Sequence, residues 1–483
     1  MNEWLTTTLI FLPLAGALAI WLTPMGRIWA GITALIVSLV EIGFWVVAVI
    51  RFDMGSAGGL QLEQRASWFS DLNVSYHVGL YGFSLWLVGL AVVAMAAAIG
   101  YGFWAGRERP RAYFGLMLFL TGAVVGVFSS QDLLVFYVFW EAMLIPLYVL
   151  VGVWGGARRV GATLKFVIYT MAGSLLMLAA IIALGISQGT FDLVDSGSSA
   201  NTLVFLGFVA AFAVKAPLFP FHGWLPDAYR ESSPEVAAVL SGVISKTAAY
   251  GFLRIAIAKF PEPVQDFRVP LLVLATIGLV YGSLLAFRAP DLRGVIAYSS
   301  LAQMGLITLG LFATNIAGLN GAVLQMVNHG LLSMTLFLLA GVVESRVGTG
   351  EFARLGGMAR GRPALATLLM TTGVIALAVP GSTAFAGEFL ILTGVFAQGW
   401  VWAAIGAGAI VLAAMYMLRL ISAVLHREPS PADEPVRRDL RVGELAVVLP
   451  LVACLLALSA WPAAISEHSF GEGDFPALQD ILP

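Results

Sequence analysis

Long apolar stretches separated by short polar segments run through almost the whole chain. Fourteen of them are long enough to cross about 30 Å of hydrocarbon as helices. They lie at approximately 5–23, 28–50, 78–101, 112–129, 131–153, 164–187, 202–228, 236–258, 268–288, 293–313, 317–343, 363–397, 399–424 and 443–463. The pattern therefore predicts an all-α polytopic membrane protein with about 14 transmembrane helices.

Two of the predicted spans contain internal prolines. Span 7 contains the segment Lys215-Ala216-Pro217-Leu218-Phe219-Pro220, and span 12 contains Val379-Pro380-Gly381-Ser382. Because proline lacks an N–H and ends a helix, we expect both spans to break inside the membrane and to free backbone groups that need protein or water partners. Broken helices mark the transport sites of secondary transporters.

The two breaks also predict an internal repeat. Pro217 and Pro380 lie 163 residues apart, and spans 4–8 match spans 9–13 in number and rough length. A five-helix unit that is repeated once must appear in opposite orientations, which is the inverted-repeat plan of secondary transporters. The predicted units are N-terminal helices 1–3 (1–110), a first inverted repeat (111–260), a second inverted repeat (261–425), and a cytoplasmic loop, helix 14 and short C-terminal tail (426–483).

Composition supports a membrane protein and excludes several other classes. The chain is 59% hydrophobic and 11% charged, with a mean hydropathy of +0.91. Its net charge is −2 and its basic residues lie singly in loops, so no nucleic-acid-binding face is predicted. The chain has one cysteine, Cys454, so we expect neither a disulfide framework nor an iron–sulfur cluster.

The basic residues predict the orientation of the chain. Nineteen of the 26 Lys and Arg residues lie by the loops between predicted helices 1–2, 3–4, 5–6, 7–8, 9–10, 11–12 and 13–14. The positive-inside rule places that side in the cytoplasm and both termini outside it. The first apolar stretch has no basic flank and no small-residue cleavage site, so we expect it to be a retained helix.

Four ionisable residues fall inside apolar spans: Glu141, Lys215, Lys246 and Glu388. Together they carry a penalty of roughly 10–14 kcal/mol unless they find partners or water. Moving a carboxylate toward or away from a buried amine is enough to load or unload a proton. We expect Glu141 to face Lys215, Lys215 to discharge toward Lys246, and Glu388 to receive the proton near the exit. The alternative is that these charges pair once to fix helix packing.

Two further titratable residues lie within spans. His329, in QMVNHGLLSMTLF, is a fifth candidate because imidazole relays protons near neutral pH; its alternative role is that of a hydrogen-bonded packing residue. Glu41 lies in span 2, outside the repeat, and we favour a local partner or a lipid-facing position over a role in transport. Capping and interaction with the helix dipole are enough to explain four charged residues at helix ends: Asp132, Asp227, Asp291 and Arg293.

Five segments resemble a known family. They are VFYVFWEAMLIPLY, VKAPLFPFHGWLPDAYRESSP, SGVISKTAAYGFLR, DLRGVIAYSSLAQMG and PGSTAFAGEF. Together, over about residues 110–425, they resemble the antiporter-like membrane subunits of proton-pumping NADH–quinone oxidoreductase, respiratory complex I. Two features favour the M branch of that family, also called chain 4. Glu388 stands where the L and N branches carry lysine, and the chain ends 20 residues after span 14, whereas the L branch continues into a long lateral helix.

The resemblance implies roles for the buried residues. Glu141 and Lys215 would be the acid–lysine pair, Lys246 the central relay and Glu388 the terminal acid, with His329 on the same hydrophilic axis. The chain would act as a subunit of the enzyme with no redox chemistry of its own, because FMN, iron–sulfur clusters and quinone would be bound by partner subunits. Its partners would be the other membrane-arm subunits, above all the L and N subunits, together with the lipid bilayer and protons.

The source and the departures from the family pattern leave alternatives open. A ratio of 22 Arg to 4 Lys is typical of a GC-rich bacterial genome, which places the chain in a bacterial plasma membrane. The chain has Gln303 and Tyr229 where the family often has histidine, and Tyr81 where it has aspartate. Glutamine cannot carry a proton at neutral pH. An Mrp-type sodium/proton antiporter subunit and a membrane subunit of an energy-converting hydrogenase remain alternatives.

Overall fold

The computed structural model describes residues 4–428 and 438–470, so the C-terminal tail and most of the charged loop before helix 14 lie outside the described residues. Within them the chain is mostly helical. The helices are α1 Leu5–Leu22, α2 Arg27–Arg51, α3 Gly82–Ala105, α4 Pro110–Ser129, α5 Leu133–Ala142, α6 Leu144–Trp154, α7 Arg159–Gln188, α8 Thr202–Lys215, α9 Leu225–Glu231, α10 Pro234–Val239, α11 Ser245–Gly251, α12 Pro261–Arg288, α13 Leu292–Phe312, α14 Ile316–Val347, α15 Pro363–Ala376, α16 Thr383–Phe396, α17 Trp400–Ile421, α18 Val442–Ala460 and α19 Ala463–Ser466.

Twelve helical stretches in the described part of the chain are long and apolar enough to cross a membrane. Two of these stretches join short helices: α5 with α6, and α10 with α11. The shorter apolar helices α8, α15 and α16 flank the two expected breaks. The predicted helical membrane fold is confirmed, whereas the exact number of crossings and the inverted repeat stay predictions.

A β-hairpin precedes α3 and was not predicted. Strands β1 Gln61–Phe69 and β2 Val74–Leu80 pair antiparallel, joined through a turn in which Asn73 has a φ of 50°. Nearly all of β2 is buried, so both of its faces are covered. A strand that is buried on both faces has a nearly continuous apolar sequence, which resembles the start of a membrane span. Helix α3 therefore begins at Gly82 rather than at residue 78.

Two helical stretches form the centre of the molecule. The stretch Pro234–Ile257, which contains α10 and α11, and helix α14 are completely buried across their apolar windows. Their backbones approach closely at two glycines. A Cβ on Gly242 would lie 3.0 Å from the Gly330 carbonyl oxygen, and a Cβ on Gly330 would lie 2.8 Å from the Gly242 carbonyl oxygen. This contact brings Lys246 and His329 to the same depth in the core.

The four charged residues singled out at helix ends all have protein partners. Asp132 accepts hydrogen bonds from the N–H groups of the first turn of α5, and Asp291 caps α13 in the same way. Asp291 also pairs with Arg230 at 2.8 Å, and Asp227 pairs with Lys165 at the same distance. Arg293 pairs with Glu344. Capping accounts for Asp132 and Asp291 as expected, whereas Asp227 and Arg293 form ion pairs that were not predicted.

Candidate functional site

Glu141 lies at a kink between α5 and α6. Pro146 has no N–H to donate to the carbonyl of Ala142 four residues earlier, so the helical hydrogen-bond ladder is interrupted there. The Glu141 side chain is half-buried, and its Oε1 has no hydrogen-bond partner among the described residues. A buried carboxylate oxygen that no described residue pairs with therefore lies next to the kink.

Lys215 is the last residue of α8 and is 3% exposed. Its Nζ lies 3.7 Å from the centroid of the Trp140 ring, which is a cation–π contact. The Glu141 carboxylate acts electrostatically on this amine, but no ion pair or hydrogen bond joins the two residues within the described ranges. The structure therefore brings the expected acid and lysine into one neighbourhood, with an aromatic ring as the direct contact of the amine.

The chain breaks directly after Lys215, as the prolines predict. The peptide between Phe219 and Pro220 is cis, and a short 3₁₀ turn leads into α9. The indole N–H of Trp224 donates to the Val214 carbonyl at 2.9 Å, and the N–H of Leu218 donates to the carbonyl of Ala213. Protein groups thus satisfy backbone carbonyls that the break frees, as a membrane interior requires.

Lys246 is fully buried between two π-helical turns, Leu240–Ile244 and Phe252–Ile257. Its Nζ donates to the Ser241 carbonyl at 2.5 Å and to the Ser245 hydroxyl at 3.3 Å. The same Nζ lies 2.8 Å from Nδ1 of His329. Lys246 and His329, two of the predicted site residues, are therefore in direct contact, at a helix distortion of the kind that often marks functional sites.

His329 and Glu388 face one small cavity. The cavity has a volume of about 30 Å³ and is lined by both residues together with Gln303, Gln325, Ser299 and Tyr416, among others. This volume suits about one or two water molecules. His329 Nε2 and Glu388 Oε2 are buried and have no hydrogen-bond partner among the described residues, which leaves both atoms free to use water in the cavity.

The predicted residues form two groups. Trp140 and Lys215, with Glu141 close by, make the first; Lys246, His329 and Glu388 make the second. In the described part of the chain, no side-chain hydrogen bond joins Lys215 to Lys246. Tyr229 is buried near Ser241 and Ser245, the two serines that Lys246 contacts, although its hydroxyl has no hydrogen-bond partner among the described residues. The position at which the family often has histidine is thus occupied by a tyrosine close to Lys246.

Glu41 departs from both favoured expectations, a lipid-facing position and a local partner. It is 1% exposed, so the prediction that it faces lipid is wrong. Its Oε1 also lacks a hydrogen-bond partner among the described residues. It lies on α2, a helix that carries none of the other predicted site residues.

Sequence reasoning missed the neutral polar residues of the site. Trp140, Gln325, Asn328 and Thr383 were not among the residues predicted for the site. Three side-chain amides, from Gln303, Gln325 and Asn328, converge near Glu388. Their position inside apolar spans was a usable signal, because polar side chains in membrane helices tend to bond across helices.

A polar vestibule opens at the helix ends on the side predicted to be cytoplasmic. It has a volume of about 680 Å³ and is lined by both basic and acidic side chains, among them Arg107, Arg158, Arg230, Arg293, Glu231, Asp291, Glu344 and Glu351. Its charges are largely paired, as in the Arg158–Glu231 and Arg293–Glu344 ion pairs. The vestibule also borders Pro234, where the helical stretch that carries Lys246 begins.

Known proteins match this chain over nearly its full length. The family model described as NADH:quinone oxidoreductase/Mrp antiporter, TM, matches residues 130–415. Subunit M of NADH-quinone oxidoreductase from Rhodobacter capsulatus is 35% identical over 96% of this chain and 94% of that protein. The subunit M from Mycobacterium tuberculosis is 36% identical over 96% of this chain and 92% of that protein.

Two solved structures have the same fold. Respiratory complex I from Thermus thermophilus with bound NADH matches with a TM-score of 0.89 and 29% identity, covering 98% of this chain and 99% of that chain. The Mrp complex from Dietzia sp. DQ12-45-1b matches with a TM-score of 0.88 and 21% identity over 100% and 99% of the two chains, which shows the fold alone. The segment that the family model matches, residues 130–415, contains every residue predicted for the site. The chain belongs to the NADH:quinone oxidoreductase/Mrp antiporter family of membrane subunits and, within it, groups with the M subunits of NADH-quinone oxidoreductase.

Proposed function

We propose that this chain is a proton-translocating subunit in the membrane arm of an NADH–quinone oxidoreductase. It moves protons through buried acidic and basic side chains while quinone is reduced in other subunits. One observation carries the proposal. Lys246 contacts His329 directly, and His329 and Glu388 line one small cavity, so three titratable side chains from α11, α14 and α16 are linked in the core.

The chemistry of the second group follows from its hydrogen bonds. When the Lys246 ammonium donates to Nδ1 of His329, the neutral ring carries its own proton on Nε2. Transfer of the lysine proton to Nδ1 makes an imidazolium, which can release the Nε2 proton into the cavity toward Oε2 of Glu388. In total one proton leaves the amine and one reaches the carboxylate, and the ring is neutral before and after the transfer.

The first group supplies the switch in this proposal. Lys215 rests on the Trp140 ring, and the Glu141 carboxylate acts on it without a direct ion pair. In water-poor surroundings the approach of Glu141 would hold the proton on the amine, and its withdrawal would favour release. Movement at the Pro146 kink is the conformational change that would alter this separation.

The proposal extends to the surroundings of the chain. The L and N antiporter-like subunits would flank it, and FMN, iron–sulfur clusters and quinone would be held by partner subunits. Both termini would lie on the outer side of a bacterial plasma membrane, with residues 111–260 and 261–425 as the inverted repeats. The vestibule would then be the intake from the cytoplasm. The distribution of Lys and Arg supports this orientation.

Two experiments test the proposal. Purification of the native assembly with identification of its polypeptides should recover flavin and iron–sulfur subunits; recovery of small membrane subunits alone would support an Mrp-type antiporter instead. In the purified complex reconstituted into vesicles, Lys215→Met should lower the number of protons moved per NADH oxidised. Lys165→Met removes a half-exposed lysine and serves as the control. An unchanged ratio in Lys215→Met would contradict the proposed switch.

A further inference from the structure

A line of side-chain amides reaches Glu388 from the break between α15 and α16. Asn328 donates to Oε1 of Gln325 at 3.4 Å. Gln325 in turn donates to Oε1 of Gln303 at 2.8 Å, and Gln303 donates to Oε1 of Glu388 at 2.9 Å. Every amide in this line points its N–H toward the carboxylate.

The direction of the line is fixed at its far end by a backbone group. Asn328 Nδ2 lies 2.7 Å from the carbonyl oxygen of Thr383, and a carbonyl oxygen can only accept. The nitrogen side of the Asn328 amide must therefore face Thr383. The Thr383 hydroxyl donates to the remaining oxygen, Oδ1 of Asn328, at 2.5 Å. Because each amide can satisfy its neighbour only when turned the same way, this anchor sets the orientation of Gln325 and then of Gln303.

Close packing holds the line in place. Asn328 and Gln325 are 0% and 1% exposed, and Gly387 lies directly against them. A Cβ at Gly387 would stand 2.5 Å from Oε1 of Gln325. The lack of a side chain at Gly387 lets α16 lie close against these two amides.

The line makes the two oxygens of Glu388 unequal. Oε1 accepts the amide of Gln303, whereas Oε2 is buried without a hydrogen-bond partner among the described residues. His329 Nε2 is without such a partner as well, and both residues line the same cavity of about 30 Å³. A polar cavity of this size suits about one or two water molecules.

We propose that Gln303 is a positioning residue. Together with Gln325, Asn328 and Thr383 it holds Glu388 so that Oε2 alone exchanges protons with Nε2 of His329, through water bound in the cavity. The inference rests on the proposed function, in which Glu388 receives protons. It also gives Gln303, which cannot itself carry a proton at neutral pH, a defined part in the transfer.

The test is infrared spectroscopy of the purified complex, with the Glu388 carboxylic acid C=O band assigned by its loss in Glu388→Gln. Gln303→Met keeps the side-chain length and removes the donor. In this variant the C=O band of Glu388 should shift to higher frequency and broaden, because the Glu388 carboxyl loses one hydrogen bond and its fixed orientation. Thr383→Val, which keeps the backbone carbonyl but removes the hydroxyl anchor, should broaden the band, and Thr383→Ser should restore it. Thr308→Val, on the same helix as Gln303 and outside the line, is the matched control.

Proton pumping by the same preparations distinguishes a failure of the positioning role from a failure of the proposed function. Gln303→Met should lower the proton-to-NADH ratio while NADH oxidation by the assembled complex continues. A band that is unchanged in both Gln303→Met and Thr383→Val would overturn the positioning role, even if Glu388→Gln fails to pump. Normal pumping in Glu388→Gln would instead contradict the proposed function on which the inference rests. Thr383→Val carries the test alone if Gln303→Met does not assemble.

Discussion

The amine of Lys246 lies 2.8 Å from Nδ1 of His329, although 83 residues separate the two along the chain. The contact depends on the close approach of their helices at Gly242 and Gly330, where each backbone carbonyl occupies the space of a Cβ on the other glycine. The contact places the lysine amine and the imidazole side by side in the buried core, where Lys246 is 0% and His329 4% exposed. Proton transfer between them needs no large movement of either side chain.

Gly330→Ala should disrupt this contact. The added Cβ would lie 2.8 Å from the Gly242 carbonyl oxygen, so the helices must separate. Overpacking of this kind typically costs about 1–3 kcal/mol. We expect a lower thermal stability and a lower proton-to-NADH ratio in the reconstituted complex. Gly408→Ala, at a position where a Cβ meets nothing within 4 Å, should change neither. Normal pumping by an assembled Gly330→Ala complex would contradict the importance of the contact.

Trp140→Leu should impair the complex more than Trp140→Phe. The Trp140 ring lies 3.7 Å from Nζ of Lys215, and a desolvated cation–π contact contributes about 2 kcal/mol. Phenylalanine keeps an aromatic face, whereas leucine leaves the buried amine without it. The rate of proton pumping at a fixed rate of NADH oxidation is the measurement. Equal pumping in the two variants would mean that the ring only fills space.

Asp192 should make stability depend on pH through the β-hairpin. Its Oδ2 lies 2.5 Å from Nδ1 of His77 on β2 and 3.3 Å from an Arg65 nitrogen on β1. Burial raises the pKa of Asp192, but the hydrogen bond and charge of His77 together with the backbone N–H groups of Val194 and Asp195 outweigh burial, so the pKa lies below its ordinary value. Such a group stabilises the folded protein above its unfolded pKa of about 3.9, and this stabilisation is lost as pH falls through the folded pKa.

Asp192→Asn should therefore lower the melting temperature at neutral pH, and the difference from the parent protein should shrink in acid. A hydrogen bond to a charged group contributes about 1.5–3 kcal/mol. Thermal unfolding of the purified complex at several pH values is the measurement. Asp195→Asn alters a half-exposed partner of Arg65 and is the control, for which we expect a small effect. A difference that does not vary with pH would refute the linkage.

Glu41→Leu should stabilise the protein without affecting transport. The Glu41 side chain is 1% exposed, and Oε1 has no hydrogen-bond partner among the described residues. Replacing an unpaired buried polar group with an apolar one removes a desolvation penalty of about 1–3 kcal/mol. Melting temperature and the proton-to-NADH ratio are the two readouts. A fall in that ratio would place Glu41 on a proton pathway.

The sequence predicted the features that depend on composition along the chain. Apolar length located the helices, prolines located the break after Lys215, and apolar context singled out Lys246 and Glu388. Contacts between distant segments could not be predicted in this way. Strand β2 reads as part of a span because it is buried on both faces. The orientation of Gln303 depends on a carbonyl at the break before α16, which no local pattern reveals.

The proton-to-NADH ratio of the complex carrying Lys246→Met tests the central claim most directly. The Lys246 amine contacts Nδ1 of His329. Methionine fills a similar volume but cannot pass a proton to that nitrogen. Compared with Lys165→Met, the variant should oxidise NADH in an assembled complex and move fewer protons for each NADH. A ratio equal to that of the control would show that protons do not pass through Lys246.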